Sequence, residues 1–143
     1  MNSPYKELSR FFIFLIIFSI IDIIAITNIF MSRWQNDVRS IQGSELNVKM
    51  LPSIAVYLLI SLGVTIFLFD KINPDDWILG SLGYGFLWGF ITYGVFDLTN
   101  LGLFDKYDPT TALIDMLWGG TVTAVSTLIT YEILRNFGNN NKV

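Results

Sequence analysis

With 143 residues, 52% of them hydrophobic and only 15% charged, and a mean hydropathy of +0.54, the chain is too apolar for an ordinary small soluble domain. Its formal charge of −3 is spread over loops and helix ends, which argues against nucleic acid as a partner. It has no Cys and no His, so disulfides, thiolate metal sites, Cys nucleophiles and imidazole bases are excluded, and the redox compartment is unreadable.

Four apolar segments predict an all-α, multi-pass membrane protein forming one integral domain, residues 1–143. The first, about 11–31, is roughly the length that spans hydrocarbon, with Asp22 as its single charge. It follows Lys6 and Arg10 as a signal peptide would, but it is long, interrupted by Asp22 and lacks a small-residue cleavage pattern; a retained helix is expected.

The polar stretch from Ser32 to Lys49 reads as a connection before the second segment, about 51–69, which carries no charge and has Pro52 at its start. Asn73 and Pro74 then read as a cap and first helical position, and Asp75 and Asp76 as first-turn acids favoured by the helix dipole rather than as a metal site. The third segment, about 77–104, holds Gly85 and Gly89 in a G-x-x-x-G pair, which in lipid lets a neighbouring backbone approach closely. Its aromatic residues read as packing, not as a cofactor box.

The fourth, about 109–134, opens after Asp108-Pro109, with Gly119 and Gly120 as further packing positions and Thr123, Thr127 and Thr130 on successive turns. Residues 136–143 read as a short, disordered polar tail.

Short connections predict antiparallel neighbours in an up-down-up-down bundle with both termini on one side. Lys6, Arg10, Lys71, Arg135 and Lys142 slightly outnumber Arg33, Arg39, Lys49 and Lys106 on the other, which places both termini in the cytoplasm.

Asp22, Asp97 and Asp115 lie inside apolar runs, where ionisable groups face the protein interior or a water-filled cavity. At about 1.5 Å per residue, Asp97 and Asp115 fall roughly 10 Å from one face and Asp22 about 13 Å from it, so all three are expected to meet. No Lys or Arg shares those runs, which leaves protonation, hydrogen bonding or a bound cation to neutralise them. Tyr93 and Asn100 share a helix face with Asp97, and Trp118 and Gly119 neighbour Asp115. Each acid is equally well read as a hydrogen-bonded pin fixing helix register.

The run Gly85-Phe86-Leu87-Trp88-Gly89-Phe90-Ile91-Thr92-Tyr93-Gly94-Val95-Phe96-Asp97-Leu98-Thr99-Asn100, followed by Asp115-Met116-Leu117-Trp118-Gly119-Gly120, resembles the predicted membrane proteins grouped as domain of unknown function 2177. Asp22, Ala55 and Tyr57 extend the likeness more loosely into the first half. The resemblance implies four transmembrane helices and gives weight to Asp97, Thr99, Asn100, Asp115, Trp118 and Gly119 as site or packing residues. It implies no particular reaction. Phe96 departs from the tyrosine many relatives carry, which puts a hydroxyl role there in doubt.

Three functions are therefore expected, in descending order. The first is a structural, assembly or accessory membrane subunit. The second is a transporter, channel or sensor holding a proton or cation on the acids, as a homo-oligomer through the Gly85/Gly89 face. The third is a lipid-active enzyme using paired Asp residues. No catalytic residue, cofactor motif or metal-ligand spacing stands out. The expected partners are the lipid bilayer, a second copy or another membrane protein, and a proton or cation.

Overall fold

Lipid has no water to satisfy backbone groups, so a chain of this composition can cross it only as helices that bond internally or as a closed barrel. The computed structural model, which describes the backbone of residues 4–140 and the side chains of 5–137, takes the helical solution. Helix α1 (Pro4–Ala25) passes through one π-helical stretch, Ile26–Phe30, into α2 (Met31–Gln42). Helices α3 (Met50–Phe67), α4 (Trp77–Leu103) and α5 (Pro109–Asn140) follow, and no strand occurs among the described residues. Four helical stretches are long and apolar enough to cross a membrane: Tyr5–Gln42, Met50–Lys71, Pro74–Leu103 and Pro109–Phe137.

The distribution of polarity is that of a protein in lipid. Leu59, Leu79, Val95, Leu103 and many other large apolar side chains face outward, whereas Ser61, Ser81, Thr123, Ser126, Thr127 and Thr130 are fully buried. Among the apolar residues, Phe14, Phe18, Val64, Leu68, Phe69 and Val122 form the buried core. Helix α5 is the most enclosed span; α4 packs along it, and α1 packs on both α5 and α3.

Contacts between helix ends set the directions. At one face Arg10, at the start of α1, donates to Asp70 beyond the end of α3 at 2.8 Å and to Glu7 at 2.8 Å, with its guanidinium 5.3 Å from the Phe69 ring centre. At the same face Trp77, opening α4, stacks on Tyr131 near the end of α5, and Arg135 lies over the indole. At the opposite face Arg33 pairs with Asp108, and Ser40 donates to the Lys106 carbonyl. Successive spans therefore run antiparallel.

The helix starts follow their local chemistry. Asn73 accepts from the Asp75 N–H at 3.1 Å, with Pro74 opening a 3₁₀ turn into α4. Asp108 accepts from the Thr110 N–H at 2.8 Å ahead of α5.

Three expectations change. The stretch after residue 31 is not a connection as far as Gln42: it continues the first helix, with Trp34, Asp37, Val38 and Ile41 half-buried on one side. It stops at Gly43, whose φ of 72° turns the chain into the left-handed region while its N–H bonds the Arg39 carbonyl. The π-helical stretch frees backbone carbonyls, and side chains take them up: Thr27 donates to Ile23 O and Asn28 to Ile24 O, both at 2.7 Å.

The polar end does not separate as a tail, because α5 runs on to Asn140; residues 141–143 lie outside the described ones. Finally, Gly85 and Gly89 face α5 of the same chain, where a Cβ on Gly85 would sit 2.7 Å from Ala124 Cα. The homo-oligomer contact expected through that face is thus already occupied. Gly119 and Gly120 receive the rings of Tyr93 and Phe86 across the same seam.

Candidate functional site

The acids expected to meet divide into two neighbouring groups. Asp22, 3% exposed, sits on the inner face of α1 two turns beyond Phe14 and one beyond Phe18. Its Oδ2 accepts from the Tyr57 hydroxyl of α3 at 2.8 Å, and its Oδ1 accepts from Trp118 Nε1 of α5 at 2.8 Å. The Tyr93 hydroxyl of α4 reaches the same Oδ1 at a longer 3.4 Å. One carboxyl thus receives a donor from each of the other three spans, the arrangement that makes a buried acid tolerable without a cation.

Ring packing holds the donors. Tyr57 meets Phe18 edge to face, Trp118 packs on Phe30 at 5.5 Å between centroids, and the Tyr93 ring lies on Gly119, where a Cβ would overlap it.

Nearer the α2 face, Asp97 of α4 is fully buried and its Oδ1 accepts from the Tyr107 hydroxyl at 2.6 Å. Asp115 of α5 is 4% exposed, and the α4–α5 register that sets Gly89 against Gly119 and Gly94 against Met116 brings it beside Asp97. Tyr107 belongs to the short α4–α5 connection, outside the spans. Burial first, and then the Asp97 carboxyl it bonds, push its phenol well above its ordinary range, which leaves it a neutral donor. Helix α2 lies alongside this connection through Ser40 and Arg33, and Asp37 is near enough to act electrostatically on Tyr107.

The other sequence-selected positions fall outside this core. Thr99 is exposed and returns its hydroxyl to the Val95 carbonyl, beside a shallow outward groove lined in part by Phe90, Gly94 and Met116. Asn100 is half-buried and uses its backbone carbonyl to receive the Phe104 N–H. No group of three or more acidic side chains close enough to hold a metal ion occurs among the described residues.

Of the donors, Tyr57 enters the sequence analysis only through the family resemblance and Tyr107 not at all. Tyr57 is the polar tip of an otherwise hydrocarbon-like helix, and counting about seven residues from the start of α3 puts it roughly 10 Å deep, level with the acids. Tyr107 had no such signal, since a loop residue's depth is set by how the connection folds back.

Fold and site together define a four-span, all-helical integral membrane protein with three aspartates and a set of Ser and Thr side chains turned inward. It belongs to the DUF2177 family, described as a predicted membrane protein, whose pattern matches residues 8–132. No curated protein and no solved structure shows a significant match to the chain.

Proposed function

We propose that this protein is a structural or accessory membrane subunit, a rigid assembly element rather than a conduit. The observation that carries the reading is the enclosure of Asp22 by Tyr57, Tyr93 and Trp118, one donor from each of the other spans. The acid's hydrogen-bonding capacity is spent on the protein's own helices, as expected of a register pin. Toward the Arg10 face, Phe14, Phe18, Val64 and Val122 pack closely beside the buried hydroxyls of Ser61, Thr123 and Thr127.

In this reading another membrane protein, or a second copy meeting a face other than Gly85/Gly89, is the partner, and both termini are cytoplasmic. A C-terminal alkaline phosphatase fusion in bacteria is expected to be inactive and a green fluorescent protein fusion bright; the opposite pair of results would reverse the orientation.

The second reading, a proton- or cation-linked transporter, channel or sensor, is favoured by the proximity of Asp97 and Asp115. Liposomes carrying the purified protein and a pH-sensitive dye decide between the two. They are expected to hold an imposed gradient as long as protein-free liposomes do. Dissipation that disappears in Asp97→Asn or Asp115→Asn would overturn the scaffold reading in favour of the second. Lipid-active catalysis ranks third, since the acids present no open cleft to a headgroup.

A further inference from the structure

Two carboxylates offer acceptors and no donor, so two of them brought face to face in a buried place need something positive between them. Asp97 is fully buried, yet its Oδ2 has no hydrogen-bond donor, although its Oδ1 accepts from Tyr107. The α4–α5 register, with Gly89 on Gly119 and Gly94 on Met116, sets it beside a second buried acceptor, Asp115, which receives no donor from the described residues. Helix α4 carries no Lys or Arg, the Arg135 of α5 lies at the opposite face over Trp77, and Arg33 on the α2 side is engaged with Asp108. The missing ligand is thus small, positive and able to make one short bond between two oxygens.

A metal ion needs more ligands than this pair supplies, and no third acid joins it. A single proton fits, bonded covalently to one oxygen and hydrogen-bonded to the other, as in the carboxyl dyads of aspartic proteases.

We infer that Asp97 and Asp115 form a proton-binding site that holds one shared proton and exchanges it with the α2 side of the membrane past Tyr107. The groups facing the pair are Tyr107 from the connection, Tyr93 from α4, Asp22 from α1 and, beyond Tyr107, Asp37 from α2. Asp37 contributes a second orphaned oxygen on this route, its buried Oδ2. On the other side Tyr57, Tyr93 and Trp118 spend their donors on Asp22, and the rings of Phe14 and Phe18 pack beyond it. A site that holds one proton is compatible with a scaffold and independent of that reading.

Infrared spectroscopy of the protein in lipid nanodiscs tests this directly, with ¹³C-labelled Asp to identify the carbonyl. At neutral pH the wild type is expected to show a protonated-carboxyl band that shifts in heavy water. The band is expected to be lost in Asp97→Asn and also in Asp115→Asn, because either amide can donate to the remaining carboxylate in place of the proton; it should persist in Asp22→Asn. Absence of the band from folded wild type, its survival in both pair variants, or its loss in only one of them would overturn the shared proton. Should neither pair variant fold, the wild-type and Asp22→Asn spectra still decide, since a band lost in Asp22→Asn would place the proton on Asp22. Tyr107→Phe is expected to keep the band while slowing its deuterium shift, and an unchanged exchange rate would exclude Tyr107 as the route.

Discussion

Asp22→Leu is expected to destabilise the protein severely, whereas Asp22→Asn is expected to come close to the wild type. Leucine is of similar size and suits an apolar interior, so loss of volume is not the issue. The difficulty is what it leaves behind: the Trp118 N–H and the Tyr57 and Tyr93 hydroxyls all point at the missing carboxyl. Each buried orphaned donor costs about 1–3 kcal/mol, so two short bonds and one long one add up to several kcal/mol.

Asparagine can meet all three. Its oxygen can occupy the position of Oδ1, facing Trp118 and Tyr93, while its amide donates to a Tyr57 hydroxyl rotated to accept. Removing the orphans along with the acid should restore much of the loss, because replacing both partners by apolar groups is nearly neutral. Thermal unfolding in detergent, followed by tryptophan fluorescence and size-exclusion recovery, is the measurement. Asp22→Leu is expected to melt far below wild type, and Asp22→Leu combined with Tyr57→Phe and Trp118→Phe well above Asp22→Leu alone. A triple variant no better than the single would mean that the cage is incidental to stability.

This cage was half legible in the sequence. An acid in the middle of an apolar run is costly enough to demand partners, and counting residues from the helix ends put Asp22, Asp97 and Asp115 at similar depth. Depth says nothing about azimuth, however. Tyr93 lies one turn from Asp97 on the same helix, but its ring crosses to Gly119 and its hydroxyl reaches Asp22. Thr99 and Asn100 stood beside Asp97 in a shared motif, yet a residue two positions along a helix points away, and Thr99 faces outward.

The four spans were readable because lipid leaves so few alternatives. The extension into α2 is hidden by its polarity, which marks a connection as readily as the solvated face of a helix. Its half-buried residues follow helical spacing, and Gly43 marks its end. The glycine pair at Gly85 and Gly89 announced close approach but not to what, since the same motif serves neighbours within a chain and between chains.

The second large effect follows from that seam. Gly89→Ala is expected to disrupt the α4–α5 contact, although the change adds a single methyl and raises intrinsic helix propensity. A Cβ at Gly89 would fall onto the Gly119 carbonyl and against the Thr123 hydroxyl. A side chain in the way could rotate, but a backbone carbonyl bonded into its own helix cannot, so α4 and α5 have to separate along the most extensive helix contact of the molecule. Overpacking of this kind typically costs about 1–3 kcal/mol, and displacement of backbone places it at the upper end or beyond.

Gly83 supplies the control, because nothing lies within 4 Å of a Cβ built there. Gly83→Ala should be neutral or stabilise by up to about 1 kcal/mol through propensity alone. The separation would also move Asp97 from Asp115, since one rides on each helix, so Gly89→Ala is expected to weaken the shared-proton band as well as lower the melting temperature. If Gly89→Ala melted with wild type and Gly83→Ala, the close approach of α4 to α5 would not be what joins the two halves of the site.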